Sequence, residues 1–189
     1  QAIDYSDATA PVITHFQSSA DDSGAVYGLY EADGTTPATI NINVTLDTAV
    51  LKGSAMTVKL ATGNSAGLGT VTLTAAETGT SMAGLYTVRD GDNTTDLSLN
   101  TTGTGDAAPI QLLTGESISD IYGNAMTAPA IPSGESLADN EAIKIDAAAP
   151  NVTITDVDYH VGTGTFTIAG TDFAAEINVD AGSTSVLNQ

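Results

Sequence analysis

Between residues 40 and 46 the chain alternates apolar and polar side chains without a break: Ile40, Ile42, Val44 and Leu46 against Asn41, Asn43 and Thr45. A period of two puts every apolar residue on one face of an extended strand, and a one-residue slip would turn the whole set to solvent. The segment therefore reads as a half-buried strand. The same rhythm returns at Met56, Val58 and Leu60, at Val71, Leu73 and Ala75, at Leu97 and Leu99, and at Ile143 and Ile145. Threonine or serine commonly fills the other face, where a β-branched hydroxyl residue suits the solvated side of a sheet. Gly- and Asx-rich punctuators separate these runs, among them Ala32-Asp33-Gly34, Gly63-Asn64, Asp90-Gly91-Asp92-Asn93, Gly103-Thr104-Gly105-Asp106 and Tyr122-Gly123-Asn124. Helix has no comparable claim, and many short strands with frequent turns predict an all-β antiparallel β-sandwich.

A second pattern sets the domain organisation. Ala2-Ile3, Asp7, Ala10-Pro11 and Ile13-Thr14 are echoed by Ala142-Ile143, Asp146, Ala149-Pro150 and Val152-Thr153. A repeat this long is a whole domain, so the chain reads as a piece of a tandem array. Proline cannot donate to a ladder and holds the preceding residue extended, which makes Ile145-Asp146-Ala147-Ala148-Ala149-Pro150 a short, stiff seam. The expected domains are residues 1–146, one complete sandwich, and residues 147–189, the start of a following one. Val152-Thr153-Ile154, Thr165-Phe166-Thr167-Ile168 and Glu176-Ile177-Asn178-Val179 are its expected opening strands.

With 41% hydrophobic residues the 189-residue chain can bury a substantial core. Its 23 acids against four bases leave a net charge of −19, spread along the sequence. Such a surface repels phosphate backbones and anionic lipid, which argues against nucleic-acid and membrane-surface partners and favours cations. There is no cysteine, hence no disulfide framework and no thiolate site. No apolar run approaches the roughly 20 residues that span a bilayer, so no membrane insertion is expected of this fragment. Any export signal or anchor is expected to lie outside it.

Three segments in order resemble the long Ig-like repeats of giant bacterial surface proteins, adhesins and S-layer-type proteins: Tyr86-Thr87-Val88-Arg89-Asp90-Gly91-Asp92-Asn93-Thr94-Thr95-Asp96-Leu97, then Ile118-Ser119-Asp120-Ile121-Tyr122-Gly123-Asn124-Ala125, then the stretch from Ser136 to Pro150. The resemblance covers about Asp7 to Val152. It departs from the family at Leu46-Asp47-Thr48, where Phe-Ser-Glu is common, and at Ala148-Ala149, where Thr-Thr is common. It implies an Ig-like sandwich module, one of several in tandem, in a long exported polypeptide that often binds calcium.

Calcium takes six to eight oxygens from carboxylates, amides and turn carbonyls, and two groups of residues are candidates for it. Asp90, Asp92, Asn93 and Asp96 fall within seven residues, although the loop lacks the glycine and terminal Glu of an EF-hand. Asp120 and Asn124 form the second group, with Asp7 or Asp146 from the seams; Asp47 joins either group if its strand ends at that pole. The expectation is that calcium at poles and seam stiffens the array.

Enzymatic readings fare worse. Gly63-Asn64-Ser65-Ala66-Gly67 matches the nucleophile-elbow pattern, but that motif needs a helix after the serine. His15 and His160 have no neighbourhood arguing for general-base work. The chain is thus expected to be a structural and adhesive module, not an enzyme, of an extracellular cell-surface adhesin, sheath, filament or S-layer. Its expected partners are neighbouring repeats and copies of itself, with a surface glycan or host ligand as a further possibility. A carbohydrate-binding adhesin module and an accessory domain of a secreted hydrolase are the alternatives. Four triplets, beginning at Asn43, Asn93, Asn100 and Asn151, fit the Asn-x-Ser/Thr acceptor pattern.

Overall fold

A computed structural model describes residues 8–18, 24–149 and 153–171. The chain divides into two compact units, the first ending at Ala148 and the second beginning at Ala149.

Among the described residues the first unit has ten strands, β1 (Ile13–Ser18), β2 (Val26–Tyr27), β3 (Thr39–Val50), β4 (Ala55–Ala61), β5 (Gly69–Thr74), β6 (Gly79–Thr87), β7 (Asn93–Thr94), β8 (Ser98–Leu99), β9 (Ile110–Gln111) and β10 (Lys144–Asp146). A seven-stranded sheet runs β1-β3-β6-β5-β4-β8, with β9 also on β4, and a three-stranded ribbon runs β2-β10-β7. β5 and β6 share a single registered pair, Thr74↔Ala83, whereas β3 pairs with β6 and β4 with β5 along most of their lengths. The sheet turns at that sparse contact, so β1-β3-β6 forms one layer and β5-β4-β8/β9 the other. The ribbon continues the second layer through the short step from β7 to β8. Lettering β1, β3, β4, β5 and β6 as A to E gives the order A-B-E-D-C. The arrangement differs from the immunoglobulin sandwich, where A, B, E and D share one layer, because here D lies with C in the second layer.

The alternation read at residues 40–46 is the burial pattern of β3: Ile40, Ile42, Val44 and Leu46 are buried and Asn41, Asn43 and Thr45 half-buried. Met56, Val58 and Leu60 on β4 and Val71 and Leu73 on β5 face them in one continuous core that also holds Phe16, Met82, Leu97, Leu99, Ile118, Leu137 and Ile143. Burying each such side chain stabilises the fold by about 1.5–3 kcal/mol.

Two short helical turns depart from the strand-only expectation, a 3-10 turn at Gly105–Ala107 and one α-helical turn. α1 (Leu137–Asn140) is a single helical turn whose Leu137 is fully buried. Asp139 accepts hydrogen bonds from the Ser136 N–H (2.9 Å) and hydroxyl (2.7 Å), which closes the first turn. Its place in the fold is against the outer edge of β1. Phe16 N–H donates to Glu135 O (2.9 Å), and the Asn140 amide donates to Phe16 O (2.8 Å). A sheet edge that would otherwise present bare peptide groups is thus covered at Phe16.

The second unit's described part is one hairpin, β11 (Thr153–His160) with β12 (Thr165–Thr171), closed by Gly164 N–H donating to His160 O (2.8 Å). Val157↔Ile168 and Tyr159↔Phe166 share one face, Asp156↔Ala169 and Asp158↔Thr167 the other. Thr153 and Ile154 of the first expected opening strand begin β11, and Thr165–Ile168 falls within β12; Val152 and Glu176–Val179 lie outside the described residues. β1 begins two residues after Pro11 and β11 three after Pro150. Beyond that the units differ, since β1 pairs with the distant β3 and β11 with the adjacent β12.

Candidate functional site at the trailing pole

The register places the ends of the first unit at opposite poles of its sandwich. Ile13 stands opposite Leu46, and just outside that pair Val12 N–H donates to Asp47 Oδ1 (2.8 Å) while Asp47 N–H donates to Val12 O (3.0 Å). This is the leading pole. β3 begins and β6 ends at the other pole, Thr39 opposite Thr87, roughly 23 Å away at about 3.3 Å per strand residue. There the chain leaves the unit: Ala147 N–H donates to Asp92 O (2.9 Å), and Gly91 N–H donates to Ala147 O (3.1 Å).

A polar cluster organises this trailing pole around Asp92, whose side chain is fully buried. Oδ2 accepts from the Tyr86 hydroxyl (2.5 Å) and the Arg89 backbone N–H (2.9 Å). Oδ1 accepts from the Asn64 amide (2.9 Å) and from Arg89 Nη2 (3.2 Å). A carboxylate offers about four lone-pair sites, and all are filled by protein donors. Arg89 is held in turn, its Nε donating to the Tyr86 oxygen (3.0 Å) and its Nη2 to Gly67 O (2.8 Å). Burial works to raise the Asp92 pKa, but the hydrogen bonds from Tyr86, Arg89 and Asn64 outweigh it and hold the carboxyl below its ordinary range. Burial, reinforced by the neighbouring Asp92 charge, pushes the Tyr86 hydroxyl up to about 12.

Backbone contact completes the corner. Asn93 N–H donates to Thr62 O (2.8 Å), and Gly63, at φ +72°, lies so close that a methyl there would sit 1.9 Å from Asn93 O. Only glycine meets both the left-handed backbone and that approach.

The residues expected to hold calcium are distributed between the two poles. Asp90, Asn93 and Asp96 are exposed around the trailing-pole turn, while Asp92 is withdrawn into the cluster. Asp146 stands opposite Asn93 in the ribbon, so it belongs with the first group and not with Asp120. Asp120 is buried at the leading pole, where it bridges Val50. Its carboxylate accepts from Tyr122 N–H (2.9 Å), Asn124 N–H (2.8 Å) and the Asn124 amide (2.8 Å), closing an Asx turn. Burial opposes ionisation there too, and the Asn124 and turn N–H donors prevail, holding its pKa low. Asp47 shares that pole, bonded to Val12; Asp7 lies outside the described residues. Among the described residues no three His, Asp or Glu side chains converge on a cation-sized space. Ser65 of the elbow-like pattern sits in the turn between β4 and β5, with no helix after it.

Asn64, Tyr86 and Arg89 are the residues that sequence reasoning missed. The sequence signal for Tyr86 and Arg89 is the spacing Tyr86-x-x-Arg89-x-x-Asp92, which places one of just four bases between a phenol and an acid; Asn64 carries none. Comparison with protein-family models, curated proteins and solved structures returned no match.

Proposed function

We propose that the chain is a structural and adhesive module of an extended, extracellular cell-surface protein, in which it acts as a spacer that carries tension. The observation that carries this reading is the placement of chain ingress and egress at opposite poles of one sandwich, with the egress clasped by the Asp92 corner. A module entered at one pole and left at the other transmits pull along its own long axis. The repeated Ala-Pro seam segments and the resemblance to Ig-like surface repeats agree with it.

The ribbon adds a mechanical argument. β10 lies parallel to β2, with Lys144 opposite Val26 and Ile145 opposite Tyr27. Gly24 N–H donates to Ala142 O (2.8 Å), and Lys144 N–H donates to Ala25 O (2.9 Å). β2 follows soon after the chain enters the unit and β10 comes just before it leaves, so drawing the ends apart slides these adjacent parallel strands along each other. Their hydrogen bonds lie across the pull and are loaded together.

Single-molecule stretching of the chain through terminal tags tests the reading. The first unit is expected to unfold in one resisted step that releases on the order of 45 nm of chain. Lys144→Pro deletes one of the loaded donors and is expected to lower the force of that step. Extension of the wild-type chain without a resolved force peak would overturn the proposal, as would finding the protein confined inside intact cells by surface labelling.

A further inference from the structure

Of the four Asn-x-Ser/Thr triplets, three fall on described residues, and the fold treats them differently. Asn100 is consumed: its amide nitrogen donates to Ala107 O at 2.6 Å, and its amide oxygen accepts from Thr102 at 3.3 Å. Asn43 lies half-buried in the middle of β3, flanked in register by Gln17 on β1 and Ala83 on β6. Asn93 is exposed, on a two-residue strand whose partner is β10, and its side-chain amide has no hydrogen-bond partner among the described residues. The third residue of its triplet, Thr95, is exposed as well. Beside it runs an open groove of about 230 Å³ lined by Val26, Thr94, Thr95, Lys144 and Asp146. Hydroxyl, ammonium and carboxylate groups around the apolar Val26 and Ile145 are the mixture that a sugar ring, polar at its rim and apolar on its face, can lie against.

We propose that Asn93 is an N-glycan acceptor whose first sugar lies in the groove across β7, β10 and β2. The donor is an oligosaccharide carried on a polyprenyl phosphate or pyrophosphate. The Asn93 amide nitrogen forms a bond to the anomeric carbon, the bond from that carbon to the phosphate oxygen breaks, the lipid phosphate leaves with the electron pair, and one amide proton passes to a base of the transferring enzyme. No redox change occurs. The glycan then stands at the trailing pole and covers the exposed ribbon, where Val26 and the short edge strands would otherwise meet other chains. The inference rests on the extracellular reading above.

Secretion of the chain from a host that glycosylates Asn-x-Ser/Thr separates the two, because a fused leader imposes export whatever the native location. A carboxy-terminal acceptor tag reports that the transferase reached the chain. Peptide mass mapping is expected to find the glycan on Asn93, absent from Asn93→Gln and Thr95→Ala and retained in Thr95→Ser, and enzymatic deglycosylation is expected to lower the melting temperature, because a sugar seated in the groove contacts only the folded unit. A modified tag with bare Asn93, or a glycan on Asn93 whose removal does not lower the melting temperature, would sink the proposal while leaving the spacer reading standing.

Discussion

Asp92 shows how one side chain can be charged, buried and stabilising at once. Its four acceptor sites are matched by four donors from Asn64, Tyr86 and Arg89, so the desolvation cost is offset by charge-assisted bonds. Asp92→Asn would turn a donor toward donors and is expected to cost about 2–3 kcal/mol, a fall of roughly 5–10 °C in melting temperature. The pH dependence has a definite sign on each side. The folded-state pKa of Asp92 is depressed, so its contribution is complete above the ordinary Asp value near 3.9 and is lost as pH falls through the folded value. That of Tyr86 is raised to about 12, so its contribution is complete below the unfolded value near 10 and is lost as pH rises toward 12. Thermal melts across both windows should show these losses, and Asp92→Asn should flatten the acid limb. The same cluster withdraws Asp92 from the four acids and amides that fall within seven residues there. Composition counts oxygens, whereas availability depends on which donors the fold brings to them.

At the scale of elements, alternation proved a sound guide to β3, β4 and β5 because burial of one face is a local property of a strand. Pairing is not local. Glycines decide where β5 and β6 meet: a methyl on Gly84 would sit 2.3 Å from Thr72 O and 2.9 Å from Val71 Cγ2, while one on Gly79 would meet nothing within 4 Å. Gly84→Ala is therefore expected to destabilise by roughly 1–3 kcal/mol through overpacking. Gly79→Ala, in open space on the same strand, is expected to be neutral or stabilising by up to about 1 kcal/mol. Denaturant midpoints of the two variants check the contrast, and equal losses would contradict the close approach at the layer turn. The single helical turn at Leu137–Asn140 escaped the strand reading because four residues carry too little periodicity to register. It owes its helicity to the Ser136–Asp139 cap and to burial of Leu137.

For the molecule as a whole, the seam has physical content. Ala147 is buried and bonded to the 91–92 turn, whereas Ala148 and Ala149 are exposed. A chain ending at Ala148 is expected to melt at the temperature of the first unit in the full chain. One ending at Ile145 loses both bonds at Ala147 and is expected to fall by about 2 kcal/mol; calorimetry of the pair measures the difference. The all-β class, the strand faces and the turns could be read from the sequence, since each depends on residues close together in the chain. Tertiary structure alone decided that Asp146 joins Asn93 and not Asp120, that Asp92 is closed to outside ligands, and that the chain crosses the sandwich from pole to pole. Those outcomes depend on which distant strands pair and in what register, and a period of two, identical along every strand, carries no record of its partner.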